Sequence, residues 1–457
     1  MKFRNWLLAG LVSTLAASAY PSMAEDSANG SYDTGLIPSP HIVLPQGGLK
    51  SMVFLLSGPD GWTKADDDRV SALAASGAAV VGIDYKAYIA SMAADSENDC
   101  IYMISDIESL SQQVQRRAGD SVYHAPILAG EGPGGALVLA MIAQSPPATI
   151  GEAIAVDPTA EVPLTKQLCT PATKQPTPHG YIYALTDDAL PAPVTVIETP
   201  NAPADGKANV AAIVAAHPDV KVIKDDKTSV DLLLDTVKDH SADGDTASND
   251  LGLPLTELPA KAKYDTMAIF YSGDGGWRDI DSQIGDYLQT QGVPTVGVDA
   301  LRYFWSKKDQ ATTAKDLSRI IDTYRKKWNV KNVLLLGYSF GADVIPSAYD
   351  ALPERQQALV KQISLLALTK SVDYEISVSG WFGAEGNFQG GTTLDAVSKI
   401  NPKLVQCIYG EDDDDAVCAD LKDKGVELVE LPGDHHFDND YDKVSDVILN
   451  GLRKRLN

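Results

Sequence analysis

The chain has 457 residues, of which 62 are acidic and 38 are Lys or Arg, and its formal charge is −24. Such an acidic chain is repelled by a phosphate backbone, so the composition argues against binding to DNA or RNA. With 44% hydrophobic residues it can bury real cores, which excludes disorder as a general description. The length predicts two to four domains. Four cysteines are too few for a disulfide-built scaffold and lack the spacing of a structural zinc site.

The first 24 residues have the pattern of a secretory signal peptide. Lys2 and Arg4 form a basic start, an apolar run covers 6–19, and the small residues Ser22 and Ala24 mark a cleavage site. The alternative, a retained membrane anchor, needs about 20 apolar residues. We therefore expect cleavage after residue 24 and export to a bacterial periplasm. Loss of the two basic residues lowers the formal charge from −24 to −26.

Export places the four cysteines in an oxidising compartment, where disulfides form. Pairing Cys100 with Cys169 and Cys407 with Cys418 keeps each bridge within one half of the chain. Four cysteines allow three connectivities, so this pairing is a preference.

The chain contains an internal duplication with an offset of 215 residues. No gap is needed across a window that includes Met52 and Met267, Ser57 and Ser272, Trp62 and Trp277, Gly82 and Gly297, and Asp84 and Asp299. The mature chain is therefore predicted to be two copies of one domain, 25–240 and 259–457. The stretch 241–258 between them is rich in Asp, Ser, Thr, Gly and Pro, which is typical of a linker.

Each copy alternates strand and helix patterns. In the second copy we predict strands at 268–271, 294–298, 333–336, 363–368, 404–409 and 426–431. Apolar side chains at helical spacing predict helices from Ile280 to a stop at Gly292, from Leu317 to Trp328, and from Val444 to Leu452. This alternation predicts a mostly parallel sheet with helices on both faces, so the fold class is doubly wound α/β, present twice.

Gly337 to Gly341 fits the pattern G-x-S-x-G, with Ser339 at its centre. A predicted strand precedes this pattern and a helical segment, 342–352, follows it. A strand-to-helix turn of this kind holds the serine exposed at the carboxyl edge of the sheet, as in the nucleophile elbow of α/β-hydrolases. The alternative is a Gly-rich structural turn. We predict that Ser339 is a nucleophile and that both copies are α/β-hydrolase-like.

In such enzymes an acid follows the nucleophile along the chain, and a histidine comes last. Gly410 is followed by five acidic residues, and a carboxylate here would orient the histidine. We choose Asp413 as the acid and Asp415 as its alternate, and we interpret the others, from Glu411 onward, as a solvated acidic loop. Cys407 and Cys418 bracket this loop, so a disulfide between them would hold it in place.

A serine hydroxyl needs a base, and from residue 251 onward the only histidines are His435 and His436. We prefer His436, which lies three residues after Gly433 and next to Phe437, and we keep His435 as the alternate. The other interpretations are metal ligation together with Asp438, or an ordinary surface loop. No metal and no cofactor are expected.

Acyl transfer also needs donors for the oxyanion. One should be the backbone N–H of Phe340, directly after the serine. The other should come from the glycine-rich loop 272–277, from Gly273 or Asp274.

The first copy lacks this chemistry. Gly132 stands at the serine position. Aligning the strand 194–197 with the last strand of the second copy places Pro203 and Ala204 at the two histidine positions. An acid remains at Asp187 or Asp188. The first copy is therefore interpreted as a decayed hydrolase kept as a scaffold, a lid or a binding module.

Five motifs together resemble the AcvB/VirJ family of bacterial virulence proteins: YSGDGGW at 271–277, VDALRYFW at 298–305, GYSFGAD at 337–343, CIYGED at 407–412 and GDHHFD at 433–438. The resemblance covers the whole mature chain in the two-domain form of the family and the second half in the single-domain form. It implies a periplasmic serine hydrolase that removes the aminoacyl group from lysyl-phosphatidylglycerol. The family's serine corresponds to Ser339 and its base to His435 or His436, while the run of aspartates leaves the acid open.

The expected partner is thus a cationic aminoacylated phospholipid at the membrane surface, which an acidic protein would attract; the expected state is a monomer. Many secreted proteins are acidic for solubility alone, so the negative charge is compatible with a cationic substrate but does not by itself indicate one. Two rivals remain: an esterase or thioesterase with a different acyl substrate, and a non-enzymatic protein that interacts with secretion-system proteins. Candidate substrate-binding carboxylates around the site are Asp274, Asp279, Asp281, Asp343 and Glu385.

Overall fold

The computed structural model describes residues 32–187, 189–225, 227–243, 250–376 and 391–456. The predicted signal peptide, Asp188 and Glu385 lie outside these ranges. From Asp33 onward the chain forms one compact unit that contains two large sheets. Within the described ranges, no helix combines the length and the apolar character needed to cross a membrane.

The first domain is built around a sheet with the strand order β1-β3-β2-β4-β5-β8-β9, in which only β1 is antiparallel to its neighbour. A separate hairpin joins β6 and β7. The strands are β1 His41–Val43, β2 Ser51–Leu56, β3 Ala78–Ile83, β4 Pro126–Glu131, β5 Glu152–Val156, β6 Lys174–Pro176, β7 Tyr181–Tyr183, β8 Val194–Glu198 and β9 Lys221–Lys224. The helices are α1 Lys64–Ser76, α2 Tyr85–Ala94, α3 Ile104–Ala118, α4 Pro133–Ile142, α5 Ala204–Ala216 and α6 Ser229–Asp243.

The second domain repeats this plan with the order β10-β12-β11-β13-β14-β15-β16. Its strands are β10 Leu255–Leu258, β11 Thr266–Tyr271, β12 Thr295–Val298, β13 Asn332–Tyr338, β14 Val360–Leu366, β15 Val405–Gly410 and β16 Glu427–Leu431. Its helices are α7 Ile280–Thr290, α8 Ala300–Tyr303, α9 Gln310–Trp328, α10 Phe340–Asp350, α11 Glu354–Gln357, α12 Thr393–Ser398 and α13 Tyr441–Leu456. Strands β11 to β15 are largely buried, as expected for a parallel sheet that is covered on both faces, whereas the edge strand β16 is mostly half-buried.

The two sheets correspond strand by strand, and β11 begins 215 residues after β2, as the duplication requires. The prediction of two tandem, mostly parallel α/β domains is therefore confirmed. The two predicted disulfides, Cys100–Cys169 and Cys407–Cys418, are both present.

The segment between the sheets differs from the predicted linker 241–258. Helix α6 continues to Asp243, and β10 pairs antiparallel with β12 as the edge strand of the second sheet. The strand was missed because Leu255–Leu258 is short and follows a run of Asp, Ser, Gly and Pro. It pairs through backbone hydrogen bonds, which need no particular side chain.

One packing contact recurs in both domains and fixes the loop after the first buried strand. The indole of Trp62 lies against Gly82, and that of Trp277 lies against Gly297. A Cβ added at Gly297 would come within 2.4 Å of the Trp277 ring. The glycine of one strand thus makes room for the tryptophan that anchors the neighbouring loop.

We expect Gly297→Ala to lower the free energy of unfolding by about 1–3 kcal/mol, because the new methyl must displace the buried indole of Trp277. Urea unfolding followed by tryptophan fluorescence measures the change. Gly48→Ala is the matched control, since a Cβ there meets no atom within 4 Å. Equal stability of Gly297→Ala and the wild type would contradict the anchoring role.

Candidate functional site

Ser339 lies in a tight turn between β13 and α10, with φ of 49° and ψ of −117°. Such a conformation is costly for a residue with a side chain. Two glycines allow it: a Cβ at Gly337 would lie 2.5 Å from backbone atoms of Gly341 and Ala342, and one at Gly341 would lie 2.2 Å from the carbonyl oxygen of Tyr271. The turn therefore presents the serine hydroxyl at the carboxyl edge of the sheet, as the motif predicted.

The Ser339 hydroxyl donates a hydrogen bond of 2.9 Å to Nε2 of His435. On the other side of the ring, Nδ1–H of His435 donates to Oδ2 of Asp413, also at 2.9 Å. The Asp413 side chain is only 4% exposed, so this hydrogen bond is shielded from water. A carboxylate can only accept here, which fixes the proton on Nδ1 and leaves Nε2 able to take the serine proton.

The preference for His436 as the base is wrong, and the alternate His435 occupies that position. His436 is exposed, and its Nδ1 lies 3.1 Å from the hydroxyl of Tyr338. The cause is the turn that follows Gly433. Phe437 is buried there with a left-handed φ of 54°, and the rings of the two histidines before it lie at 82° to each other. Residue spacing from the glycine does not reveal which of them faces Ser339.

The acid chosen from the sequence, Asp413, is the one the structure brings to His435. Its alternate Asp415 stays exposed and instead donates its backbone N–H to Oδ1 of Asp413 at 3.2 Å. The loop is tied to the sheet by the disulfide between Cys407 on β15 and Cys418. These contacts bury the side chain of Asp413 beside His435, while Asp415 stays in solvent.

The predicted oxyanion donors belong to the two segments next to Ser339. As the first residue of α10, Phe340 has no intrahelical acceptor for its N–H. The loop 272–277 lies beside the serine, since a Cβ on Gly273 would be 4.0 Å from Cβ of Ser339. The buried carboxyl of Asp281 lies next to this loop, and burial raises its pKa well above its usual range. Gly273 and Asp274 both stay candidates for the second donor.

The candidate substrate-binding carboxylates fall into different environments. Asp279 is at the rim, with its side chain 51% exposed. Asp343 is buried, so its assignment to substrate binding is wrong. Its two oxygens accept hydrogen bonds from the N–H and the hydroxyl of Thr369, at 2.8 and 2.6 Å, which ties α10 to the segment after β14. Glu385 lies outside the described residues.

The alignment of the first domain's last strands needs correction. By position in the sheet, β8 (Val194–Glu198) corresponds to β15 and not to the last strand, whose counterpart is β9. The histidine loop is therefore matched by the residues after β9, which begin with Asp225, and not by Pro203 and Ala204. Similarly, the acid loop is matched by the residues after β8, and Asp187 precedes that strand. No histidine stands at the corrected position.

The first domain nevertheless keeps the shape of the elbow. Gly132 has φ of 57° and ψ of −120°, close to the values of Ser339. The next residue, Pro133, has no backbone N–H, so the counterpart of the Phe340 donor is missing as well as the nucleophile. Among the described residues, no group of three or more His, Cys, Asp or Glu side chains is arranged to hold a metal ion.

Residues 265–456, which carry the whole Ser339 site, match the family described as "Bacterial virulence protein (VirJ)". The second domain belongs to this family. The resemblance drawn from the five motifs is thereby confirmed for this VirJ domain. No curated protein matches the chain significantly.

Among solved structures, the chain is similar to Est1E from Butyrivibrio proteoclasticus, at 14% identity over 44% of this chain and 93% of that one, with a TM-score of 0.31. It is also similar to the α/β hydrolase GrgF from Penicillium sp. sh18, at 16% identity over 46% and 97%, with a TM-score of 0.35. At such values the likeness says nothing about activity, which has to be argued from the residues of the VirJ domain.

The environment of Asp343 predicts a pH-dependent stability. Burial raises the pKa of Asp343 from 3.8 to about 8, although the hydrogen bonds from Thr369 oppose the rise. Between these two values the folded chain holds a proton that the unfolded chain has released, so the free energy of unfolding falls as the pH rises. In Asp343→Asn the amide oxygen still accepts from the Thr369 N–H, the NH2 group can donate to the Thr369 hydroxyl oxygen, and the side chain cannot ionise.

We therefore expect Asp343→Asn to be more stable than the wild type near pH 8, with the difference shrinking toward pH 4, by at most about 1.4 kcal/mol per pH unit. Urea unfolding across this pH range measures it. Asp322→Asn, at a half-exposed position on α9 where the carboxylate lies 3.6 Å from Arg355, is the control and should run parallel to the wild type. Parallel curves for Asp343→Asn and the wild type would contradict the assignment.

Proposed function

We propose that the VirJ domain is a serine hydrolase of carboxylic esters. The observation that carries this proposal is the hydrogen-bonded chain from Ser339 through His435 to Asp413, with both donor–acceptor distances at 2.9 Å. This is the geometry of a nucleophile, a general base and an orienting acid. The elbow supports it, because the turn holds the hydroxyl next to the Phe340 N–H.

In the proposed reaction, Oγ of Ser339 attacks the ester carbonyl carbon while Nε2 of His435 takes the hydroxyl proton. The resulting oxyanion is held by the N–H groups of Phe340 and of the loop 272–277, from Gly273 or Asp274. The ester C–O bond then breaks, and His435 returns the proton to the leaving alcohol. Water, activated by the same histidine, hydrolyses the acyl-enzyme and regenerates Ser339.

We propose lysyl-phosphatidylglycerol as the substrate, which is what the family resemblance implies. The lysyl ester carries two ammonium groups, and the chain carries a formal charge of −24. The loop 272–277 beside the serine contains Asp274, and Asp279 follows that loop with a half-exposed side chain, 3.8 Å from Nε of Arg278. The products would be lysine and phosphatidylglycerol, whose negative charge would favour its release.

We further propose that this reaction takes place in the periplasm. Both cysteine pairs form disulfides, which persist in oxidising compartments. The substrate is a membrane lipid, so the protein would work at a membrane surface on the exported side.

The first test is lysine release from vesicles that contain lysyl-phosphatidylglycerol. We expect Ser339→Ala and His435→Ala to lower kcat by about a thousandfold or more, because each removes a member of the hydrogen-bonded chain. His436→Ala, the same change one residue away, should stay within about tenfold of the wild type. Loss of activity in His436→Ala with retention in His435→Ala would contradict the assignment of the base.

The same assay separates the rival functions. Alanyl-phosphatidylglycerol, a simple ester and a thioester serve as parallel substrates. Turnover of one of these without lysine release would support the esterase or thioesterase alternative. No turnover of any of them by the wild type would favour a non-enzymatic protein that interacts with a secretion apparatus.

The charge argument predicts a specific effect of Asp279. We expect Asp279→Asn to raise KM for lysyl-phosphatidylglycerol by about two- to fivefold, the range of one exposed ion pair, and added salt to shrink the difference. kcat, and KM for an uncharged ester, should not change. KM is measured from initial rates at low and high ionic strength.

Asp265→Asn is the matched control for this test. Asp265 also has a positive φ and a partly exposed carboxylate, but it precedes β11 at the opposite edge of the sheet. An equal rise in KM for both variants would show that overall charge, and not Asp279, attracts the substrate.

A further inference from the structure

The first domain, which lacks counterparts of Ser339 and His435, contacts the VirJ domain at the loop 272–277 and at the segment after α8. The contacts come from α3, from the residues that follow it, 119–123, and from Thr149. They reach Arg278, directly after the loop 272–277, and Trp305, shortly after α8. Both segments begin at the carboxyl ends of strands, the edge at which Ser339 lies.

The first contact is a buried ion pair between the domains. A single guanidinium nitrogen of Arg278 lies 2.9 Å from both carboxylate oxygens of Glu108 and 2.9 Å from the hydroxyl of Thr149. The side chains of Glu108 and Arg278 are only 8% and 19% exposed. Burial alone would lower the pKa of Arg278, but the Glu108 carboxylate raises it, so the guanidinium stays charged.

Arg278 in turn packs against the loop beside the serine. A Cβ on Gly275 would lie 2.6 Å from the Arg278 guanidinium, so the two are in close contact. Gly275 directly follows Asp274, a candidate donor, and the loop is closed by the hydrogen bond from the Gly276 N–H to the Gly273 carbonyl oxygen at 3.1 Å. The positions of the Gly273 and Asp274 N–H groups are therefore set by this turn and by its contact with Arg278.

The second contact supports the other donor. The guanidinium of Arg116 lies 3.8 Å from the centre of the Trp305 ring and donates to the carbonyl oxygens of Trp305 and Ile376, each at 2.5 Å. The Trp305 indole, fully buried, donates to the carbonyl oxygen of Asp120 at 3.1 Å. The neighbouring Phe304 packs edge-on against Phe340, with ring centres 5.0 Å apart. The segment that contains Phe304 and Trp305 is thus held by the first domain and contacts Phe340, the residue that follows the nucleophile.

We propose that the first domain is a positioning partner of the hydrolase site: Glu108, through Arg278, and Arg116, through Trp305, hold the two backbone donors in place. This inference rests on the proposed function, because it concerns the same site. Glu108 and Arg116 are positioning residues that act through Arg278 and Trp305 without touching the substrate. The first domain thereby acts as a scaffold for one specific part of the VirJ domain.

Glu108→Gln tests the inference while keeping the shape of the side chain. Without the carboxylate, Arg278 is left charged and only weakly partnered in a buried position, so it should move and release the loop at Gly275. Because a single oxyanion donor is worth about a hundred- to a thousandfold in kcat, a loosened donor should cost about ten- to a hundredfold. KM should change by less than about twofold, since ground-state binding does not use the oxyanion.

The readout is the rate at which a fluorophosphonate probe labels Ser339, measured on the full chain together with ester turnover. Phosphonylation needs the same donors but no particular lipid, so it is independent of the natural substrate. Glu108→Asp should recover part of the rate by restoring the charge. Glu427→Gln is the control: it also breaks a glutamate–arginine pair, with Arg455, but lies at the amino end of β16, away from the site.

A second variant tests the same contact in case Glu108→Gln fails to fold. Arg278→Lys keeps the positive charge and loses the planar fork that spans Glu108 and Gly275, so it should also slow labelling while its thermal unfolding stays close to that of the wild type. Wild-type rates in Glu108→Gln and Arg278→Lys would overturn the inference and leave the hydrolase proposal standing. Absence of labelling in the wild type itself would instead overturn the proposed function.

Discussion

The site depends on one backbone conformation, the left-handed turn at Ser339. A non-glycine residue held there costs about 1–3 kcal/mol, and it persists only when the surrounding packing determines it. Here that packing is the close approach of α10 to β13 and β11, which Gly337 and Gly341 permit. The turn fixes the hydroxyl and the Phe340 N–H together. His435, Asp413 and the loop 272–277 are then arranged around an oxygen whose position is already set.

The first domain shows that the fold forms this turn even where no catalytic serine is present. Gly132 adopts nearly the same conformation without a side chain to present, and Pro133 removes the donor that follows it. A glycine takes this conformation at little cost, whereas Ser339 bears strain. Backbone strain at the elbow is thus present only in the VirJ domain, where a serine occupies the turn. The two domains share one scaffold and differ at this site in a small set of side chains.

The fold and most of the site follow from the sequence because they rest on local patterns. Apolar periodicity located the strands from β11 to β16, and the elbow and Asp413 follow from motif and chain order. Other features depend on packing that spacing does not encode. His435 and His436 are adjacent, and the path of the turn around the buried Phe437 brings His435 to Ser339 and His436 to Tyr338. In the first domain, α5 separates β8 from β9, and the VirJ domain has no α-helix between the matching strands, so alignment by motif shifted the register.

The interface between the two domains contains a buried ion pair, although an apolar contact would hold the domains together equally well. A buried ion pair such as Glu108 with Arg278 contributes little net stability, because desolvation of both groups offsets their attraction. What it does provide is direction: one guanidinium nitrogen of Arg278 bonds Glu108 and Thr149, and the rest of the rigid, planar group packs on Gly275. An ion pair that fixes the orientation of its two side chains but adds little stability is expected where the position of a neighbouring loop must be held closely. That position is the loop beside Ser339, and the apolar packing of Tyr123 on Trp305 can supply the cohesion.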